Sequence, residues 1–142
     1  MNPTMEKFGC PRTLLAELDH WVILLRPGQV TFGSLVLAAK SAATAYADLP
    51  AEAFAEQGEA VRRIERALRR VCAYERINYL MLMMVDPNVH FHVIPRYSDE
   101  RRWNGVDFPD AGWPGPPQLG SAVQLSDEQL DALAAEFAPH FR

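Results

Sequence analysis

NVHFHVIPRY, residues 88–97, is the stretch on which the interpretation of the whole chain depends. On a β-strand, successive side chains point to opposite faces of the sheet. The polar residues of this stretch would then share one face and the apolar residues the other: Asn88, His90 and His92 against Val89, Phe91 and Val93. The alternation predicts a strand with one face in the core and its polar face lining a cleft.

Two histidines at positions i and i+2 of a strand are compatible with three roles. They can simply alternate on an antiparallel strand that is partly exposed. They can bind one metal ion, although no acidic residue follows within the next few positions and His20 and His140 are distant in sequence. They can also act on a substrate, because imidazole is neutral and nucleophilic near pH 7. We expect neither a metal nor a cofactor.

Five strands and one long helix are predicted around this stretch. TLLAEL, HWVILLR and SLVLAAK are apolar and partly β-branched, and the turn-prone PGQVTFG separates the last two. INYLMLMM and NVHFHVIPRY should pair as a hairpin around the short connection at residues 85–87, with the methionines of the first run in the core. The fold class is therefore α+β, with a five-stranded antiparallel sheet.

The helix is predicted from a change of period at Pro50, which suits the first helical position. Its apolar residues are separated by seven, three, four and three positions: Phe54, Val61, Ile64, Leu68 and Val71. Its other face carries intermingled Glu and Arg side chains, which is typical of a solvated surface. We therefore expect one amphipathic helix packed on the sheet.

The C-terminal part of the chain is predicted to be an extension that packs on the main domain. Residues 101–124 are rich in Pro, Gly and Trp and have no period, so they should wrap over the surface. Ser126 and Gln129 form a capping box, which predicts a final helix. We expect residues 1–100 to form the main domain and residues 101–142 to pack on it.

Composition limits the partners of the chain. The 142 residues carry 14 basic and 18 acidic side chains, a net charge of −4, which disfavours binding of a nucleic acid duplex. No apolar run reaches the roughly 18 residues that a membrane span needs. The N-terminus lacks the pattern of a secretory signal, so we expect a cytoplasmic protein. A small phosphate ligand remains compatible with these features, since local donors can hold it.

NVHFHVIPRY resembles the signature strand of the histidine-triad superfamily, in which His, apolar, His, apolar, His precedes two apolar residues. FGSLVLAAK, ADLPAEAFAE and ERINYLML are similar to the family's third strand, the start of its central helix and its penultimate strand. The resemblance covers about residues 10–98. Asn88 stands where the family has its first histidine.

The resemblance implies a nucleotidyl-transfer reaction on a small nucleotide substrate. His90 would attack the α-phosphate and form a nucleotidyl-histidine, while the backbone carbonyl of Asn88 orients its ring. His92 would contact the phosphate oxygens and stabilise developing charge. Asn78 and Arg96 are further candidates for binding the nucleotide, the alternatives being a strand-edge amide and a solvated charge.

Two departures from the family pattern leave two functions open. The turn at residues 83–87 lacks the Gly, Gln and small hydroxyl residue that commonly contact the leaving phosphate, and Ser34 stands where many relatives have His. The chain is then either a nucleotide hydrolase or nucleotidyl transferase, or a nucleotide-binding module with little or no turnover. Trp103 and Trp113 would form a lid or simply cover the sheet. The resemblance further implies a homodimer.

Overall fold

A five-stranded antiparallel sheet organises the structure, a computed structural model that describes residues 1–142. The strands are β1 Leu14–Glu17, β2 Trp21–Leu25, β3 Gly28–Gln29, β4 Leu35–Ala39, β5 Arg76–Leu80, β6 His90–Arg96, β7 Arg101–Trp103, β8 Val106–Phe108 and β9 Val123–Gln124. The helices are α1 Pro3–Lys7, α2 Ala51–Val71 and α3 Asp127–Phe137, with short 3₁₀ turns at Tyr46–Asp48, Leu119–Ser121 and Ala138–Phe141. The main sheet has the order β1-β2-β4-β6-β5, so the predicted α+β class and its five antiparallel strands are confirmed.

Helix α2 packs on one face of the sheet and closes the main core, a cluster of 24 buried residues. Pro50 directly precedes the helix instead of opening it. Phe54 was predicted to face the core, but it is 40% exposed and packs on Tyr46, 5.2 Å between ring centroids. Small side chains bring the helix close to the sheet, and its buried residues are Ala53, Ala60, Ile64, Ala67 and Leu68.

A second, smaller cluster lies on the opposite face of the sheet. It joins strands β2 and β4 to residues 2–8, which we call the N-terminal cover. Asn2 caps α1 by accepting from the Met5 amide (2.9 Å), and its Nδ2 donates to the carbonyls of Ala39 (2.9 Å) and Ser41 (3.0 Å). The sheet face predicted to line a cleft is therefore covered where β6 begins.

The connection between β5 and β6 differs from the prediction of a tight turn at residues 85–87. Residues 81–89 form the loop, and Asn88 lies in it, outside the strand. None of the methionines predicted as core is buried, and Met84 is 84% exposed. The pairing of β5 with β6 ends at Leu80 opposite His92, and the apolar residues that follow leave the sheet and enter the loop.

The C-terminal extension contains a hairpin that the sequence reading missed. β7 and β8 pair around Asn104 and Gly105, both at positive φ (48° and 77°). Asn-Gly is a strong hairpin signal because such a turn needs two residues at positive φ. The predicted final helix is confirmed as α3, with both bonds of its capping box present. The division of the chain at residue 100 stays a prediction.

None of the helices combines the length and the apolar character that a membrane span requires.

Candidate functional site

His90 occupies the first position of β6 with a free ring nitrogen. Its Nδ1 lies 2.7 Å from the backbone oxygen of Asn88. A carbonyl oxygen only accepts hydrogen bonds, so Nδ1 carries the proton and Nε2 keeps its lone pair. Nε2 is buried and has no hydrogen-bond partner, and the residue as a whole is 0% exposed. An oriented imidazole with a free lone pair is equipped to act as a nucleophile.

His92 lies two positions further on the same face, its ring centroid 5.1 Å from that of His90. Its Nδ1 accepts a hydrogen bond from Nε of Arg26 (3.3 Å), so the ring proton sits on Nε2. Burial, with smaller contributions from the Arg26 charge and from His90, lowers the pKa of His92 to about 4. The residue is therefore a neutral hydrogen-bond donor at pH 7.

Arg26 belongs to this site, and the sequence reading missed it. It directly follows the buried strand β2, and burial lowers the pKa of its guanidinium. An arginine nevertheless stays charged in proteins, so it places a fixed positive charge beside His92. The sequence signal was a cation at the end of an apolar strand, but its partner lies 66 positions away.

Asn88 was predicted to bind nucleotide, and the structure engages its side chain with the N-terminal cover. Its Oδ1 accepts from the Thr4 hydroxyl (3.1 Å) and amide (3.4 Å), and its backbone N–H donates to the same hydroxyl (3.2 Å). Its Nδ2 donates to the carbonyl of Ala42 (3.1 Å). The backbone carbonyl orients His90 while the side chain fastens the cover.

Phe8 of the N-terminal cover shields both histidines. Its ring centroid is 5.6 Å from the ring of His90 and 5.6 Å from that of His92. The adjacent Lys7 pairs with Asp86 of the β5–β6 loop (2.9 Å). Nε2 of His90 is buried, so a ligand can reach it only when its surroundings move, and Phe8 of the cover is one of the residues beside the ring.

Asn78 and Arg96, the other predicted nucleotide ligands, lie together but apart from the histidines. Arg96 is four residues beyond His92, about 13 Å along the strand. It is 4% exposed, so it is no solvated charge, and its Nη1 donates to Oδ1 of Asn78 (2.8 Å). It also forms a two-bond ion pair with Asp110 (2.7 and 3.0 Å). The predicted residues thus form two groups on one sheet face.

The two remaining histidines do not join this site. His20 and His140 were considered as further metal ligands, but the chain has no group of three or more His, Cys, Asp or Glu side chains placed to hold an ion. Ser34 is buried, and its hydroxyl bonds to the Thr31 backbone (2.8 and 3.0 Å).

Solved structures share the fold at low sequence identity. A histidine triad protein from Bradyrhizobium japonicum is 15% identical with a TM-score of 0.71, over 100% of this chain and 97% of its own. One from Sinorhizobium meliloti is 20% identical, also at 0.71, over 96% and 95%. Plasmodium falciparum diadenosine triphosphate hydrolase, in complex with cyclomarin A, is 13% identical at 0.64, over 92% and 76%. No family model and no curated protein matches the sequence. The chain therefore has the fold of histidine triad proteins.

Proposed function

We propose that this chain is a histidine-triad protein that binds a nucleotide derivative and acts at its α-phosphate through a nucleotidyl-histidine at His90. One observation carries the proposal: Nδ1 of His90 donates to the Asn88 carbonyl while Nε2 is buried without a partner. The fold is consistent with it, since one protein of the same fold is a diadenosine triphosphate hydrolase.

The first chemical step forms a bond between Nε2 of His90 and the α-phosphorus. The bond from phosphorus to the leaving group breaks, and the leaving group departs with the electron pair. The ring of His90 becomes cationic, and its Nδ1–H bond to the Asn88 carbonyl stabilises that charge. Nε2–H of His92 and the guanidinium of Arg26 would offset negative charge on the phosphate oxygens.

The second step releases the nucleotide. Water attacks the phosphorus, the bond to Nε2 breaks with its electron pair returning to the ring, and a mononucleotide leaves with its proton lost to solvent. Another acceptor in place of water would make the reaction a transfer. Asn78 and Arg96 would contact a part of the substrate remote from its α-phosphate, because about 13 Å of strand separates Arg96 from His92.

The second candidate function is nucleotide binding with little turnover. It is favoured by the cover over His90, which is 0% exposed beneath Phe8. If the cover opened rarely or never, His90 would not reach an α-phosphate. Both functions need the same histidine-bearing face.

We further propose a cytoplasmic homodimer. β5 is an edge strand of the main sheet, and the loop that follows it exposes large apolar side chains: Leu82, Met84 and Val85. An open edge next to exposed apolar side chains suits pairing with a second copy. Light scattering of the purified chain would measure the mass, and a monomeric mass at micromolar concentration would contradict the dimer.

The experiment that tests the reaction compares wild-type protein with His90→Ala and with the control His140→Ala. Each is incubated with adenosine and guanosine phosphoramidates, dinucleoside polyphosphates and nucleotide sugars, and mononucleotide release is followed by chromatography. Release by wild type and the control, but not by His90→Ala, supports the proposal. Mass spectrometry at alkaline pH should find the nucleotidyl adduct on His90. If no substrate releases a mononucleotide while mononucleotides still bind, the result would favour the binding module.

A further inference from the structure

A cavity of about 550 Å³ opens on the histidine-bearing face, at the end of the sheet away from His90. Its volume is in the usual range of small-molecule sites. We propose that this cavity, the Trp113 cavity, binds a nucleoside phosphate, with the phosphate on Arg76 and the ring on Trp113. The side chains that line it come from β5, β6 and the loop after β8: Arg76, Asn78, Arg96 and Trp113.

Hydrogen bonds connect the groups that form the floor of the Trp113 cavity. Arg96 is almost fully buried, and four hydrogen bonds fix its guanidinium: two to Asp110, one to Asn78 and one to the carbonyl of Gly115 (2.8 Å). The last bond holds the Trp113 loop against the strand. A site whose groups are already fixed loses little freedom when a ligand binds.

The charge of the cavity favours an anion. Asp110 balances the charge of Arg96, so the charge in the lining that no ion pair balances is that of Arg76. Arg76 is exposed, forms no ion pair, and donates only to the carbonyl of Glu75 (2.9 Å). Nδ2 of Asn78 makes no hydrogen bond, because only Oδ1 is engaged. A free guanidinium beside a free amide donor suits the oxygens of a phosphate.

The wall of the cavity favours a planar ring. Trp113 is partly buried and stands among Pro114, Gly115 and Pro116, which offer no competing side-chain charge. Indole faces bind nucleobases by stacking, a contact that tolerates any base. A ligand that stacks on Trp113 and pairs with the charge of Arg76 carries a planar ring and a phosphate.

The nucleoside phosphate could reach the cavity from two sources. It could be the far end of a two-nucleoside substrate whose α-phosphate lies at His90, because the two groups share one face. It could also be a separate mononucleotide. The chemistry recognised is the same, and the Trp113 cavity does not require that His90 reacts.

The experiment follows the indole N–H signals of the full ¹⁵N-labelled chain by NMR, with the Trp113 signal assigned through Trp113→Phe. Adenosine 5′-monophosphate (AMP), adenosine and ribose 5-phosphate are the probes. The Trp113 signal should shift with AMP, and Arg76→Gln should weaken AMP binding at this signal by about tenfold or more. Adenosine, which has no phosphate, should bind Arg76→Gln and wild type alike. The control is Arg102→Gln, an exposed arginine paired with Asp107 on the neighbouring hairpin.

Two results would overturn the proposal: a Trp113 signal that AMP never moves, or equal AMP affinity in Arg76→Gln and Arg102→Gln. Diadenosine tetraphosphate separates the sources: one molecule per chain that shifts the signals of Trp113 and of the His92 ring together indicates the far end of a substrate, and a shift of Trp113 alone indicates a separate nucleotide. The measurement is repeated in His90→Ala. If AMP still shifts the Trp113 signal in His90→Ala, which cannot react, the cavity binds the nucleotide whether or not the proposed reaction occurs.

Discussion

Replacing Thr4 with Val should expose His90 without unfolding the protein. Valine has nearly the shape of threonine but lacks the hydroxyl that bonds to the Oδ1 and to the backbone N–H of Asn88. If each lost bond costs about 1 kcal/mol net, the N-terminal cover is weakened by about 2 kcal/mol. Since 1.4 kcal/mol is tenfold, its opening should become about 30 times more frequent.

Carbethoxylation by diethyl pyrocarbonate, followed site by site with mass spectrometry, measures that opening. His90 should react much more slowly in wild type than His20 and His140, which are partly exposed. Thr4→Val should accelerate reaction at His90 about 30-fold, whereas Thr4→Ser, which keeps the hydroxyl, should restore the wild-type rate.

Global unfolding would also expose His90, so a second control is needed. Ser126→Ala removes the N-cap of α3, far from the cover in sequence, and should cost about 1 kcal/mol of stability. If Ser126→Ala accelerates the reaction of His90 by about fivefold, as a loss of about 1 kcal/mol in global stability would, His90 is exposed by global unfolding and our reasoning fails. It fails equally if His90 of wild type reacts as fast as His20.

Three further predictions concern stability. Gly33→Ala should lower the free energy of unfolding, measured in urea, by about 2 kcal/mol or more. The reason is that φ is +88° at this position and that the new Cβ would lie 2.6 Å from the sulfur of Cys72. The control Gly120→Ala, where the new Cβ would meet no atom within 4 Å, should change the free energy little. Asp110→Ala should cost about 3–5 kcal/mol in the same assay, because it leaves the buried Arg96 without its counter-ion; a loss below 1 kcal/mol would contradict this. The lowered pKa of His92 means that only the unfolded chain takes up its proton between about pH 6.5 and 4, so the melting temperature should fall as pH drops through this window, and less steeply in His92→Gln.

The sequence predicted those features of the structure that depend on neighbouring residues alone, such as the alternation of a strand and the cap of a helix. The period of two along β6 placed His90 and His92 on one face, and both rings do contact Phe8. The capping box at Ser126 gave the start of α3. The run of apolar residues after Leu80 led to a wrong prediction, because the pairing of β5 with β6 ends at Leu80 and His92, and no local pattern contains that register.

The contacts around the histidines could not be predicted because they join distant parts of the chain. Arg26 reaches His92 across 66 positions, and Thr4 reaches Asn88 across 84. A single hydroxyl or guanidinium carries no local signal of its partner. The N-terminal cover therefore could not be predicted from the sequence, although the histidines could.

Asn88, which stands where the resemblance would place a first histidine, illustrates why a difference at one position of a motif does not by itself decide function. The orienting bond to His90 comes from a backbone carbonyl, which every amino acid supplies, so replacing the side chain leaves that bond in place. The amide then serves another purpose, because its oxygen accepts from Thr4 and its nitrogen donates to Ala42. Substitution of this side chain should consequently change the access to His90 and leave the orientation of its ring unchanged. Turnover would then depend on how often the cover opens, and the side chain at position 88 would influence turnover through that opening.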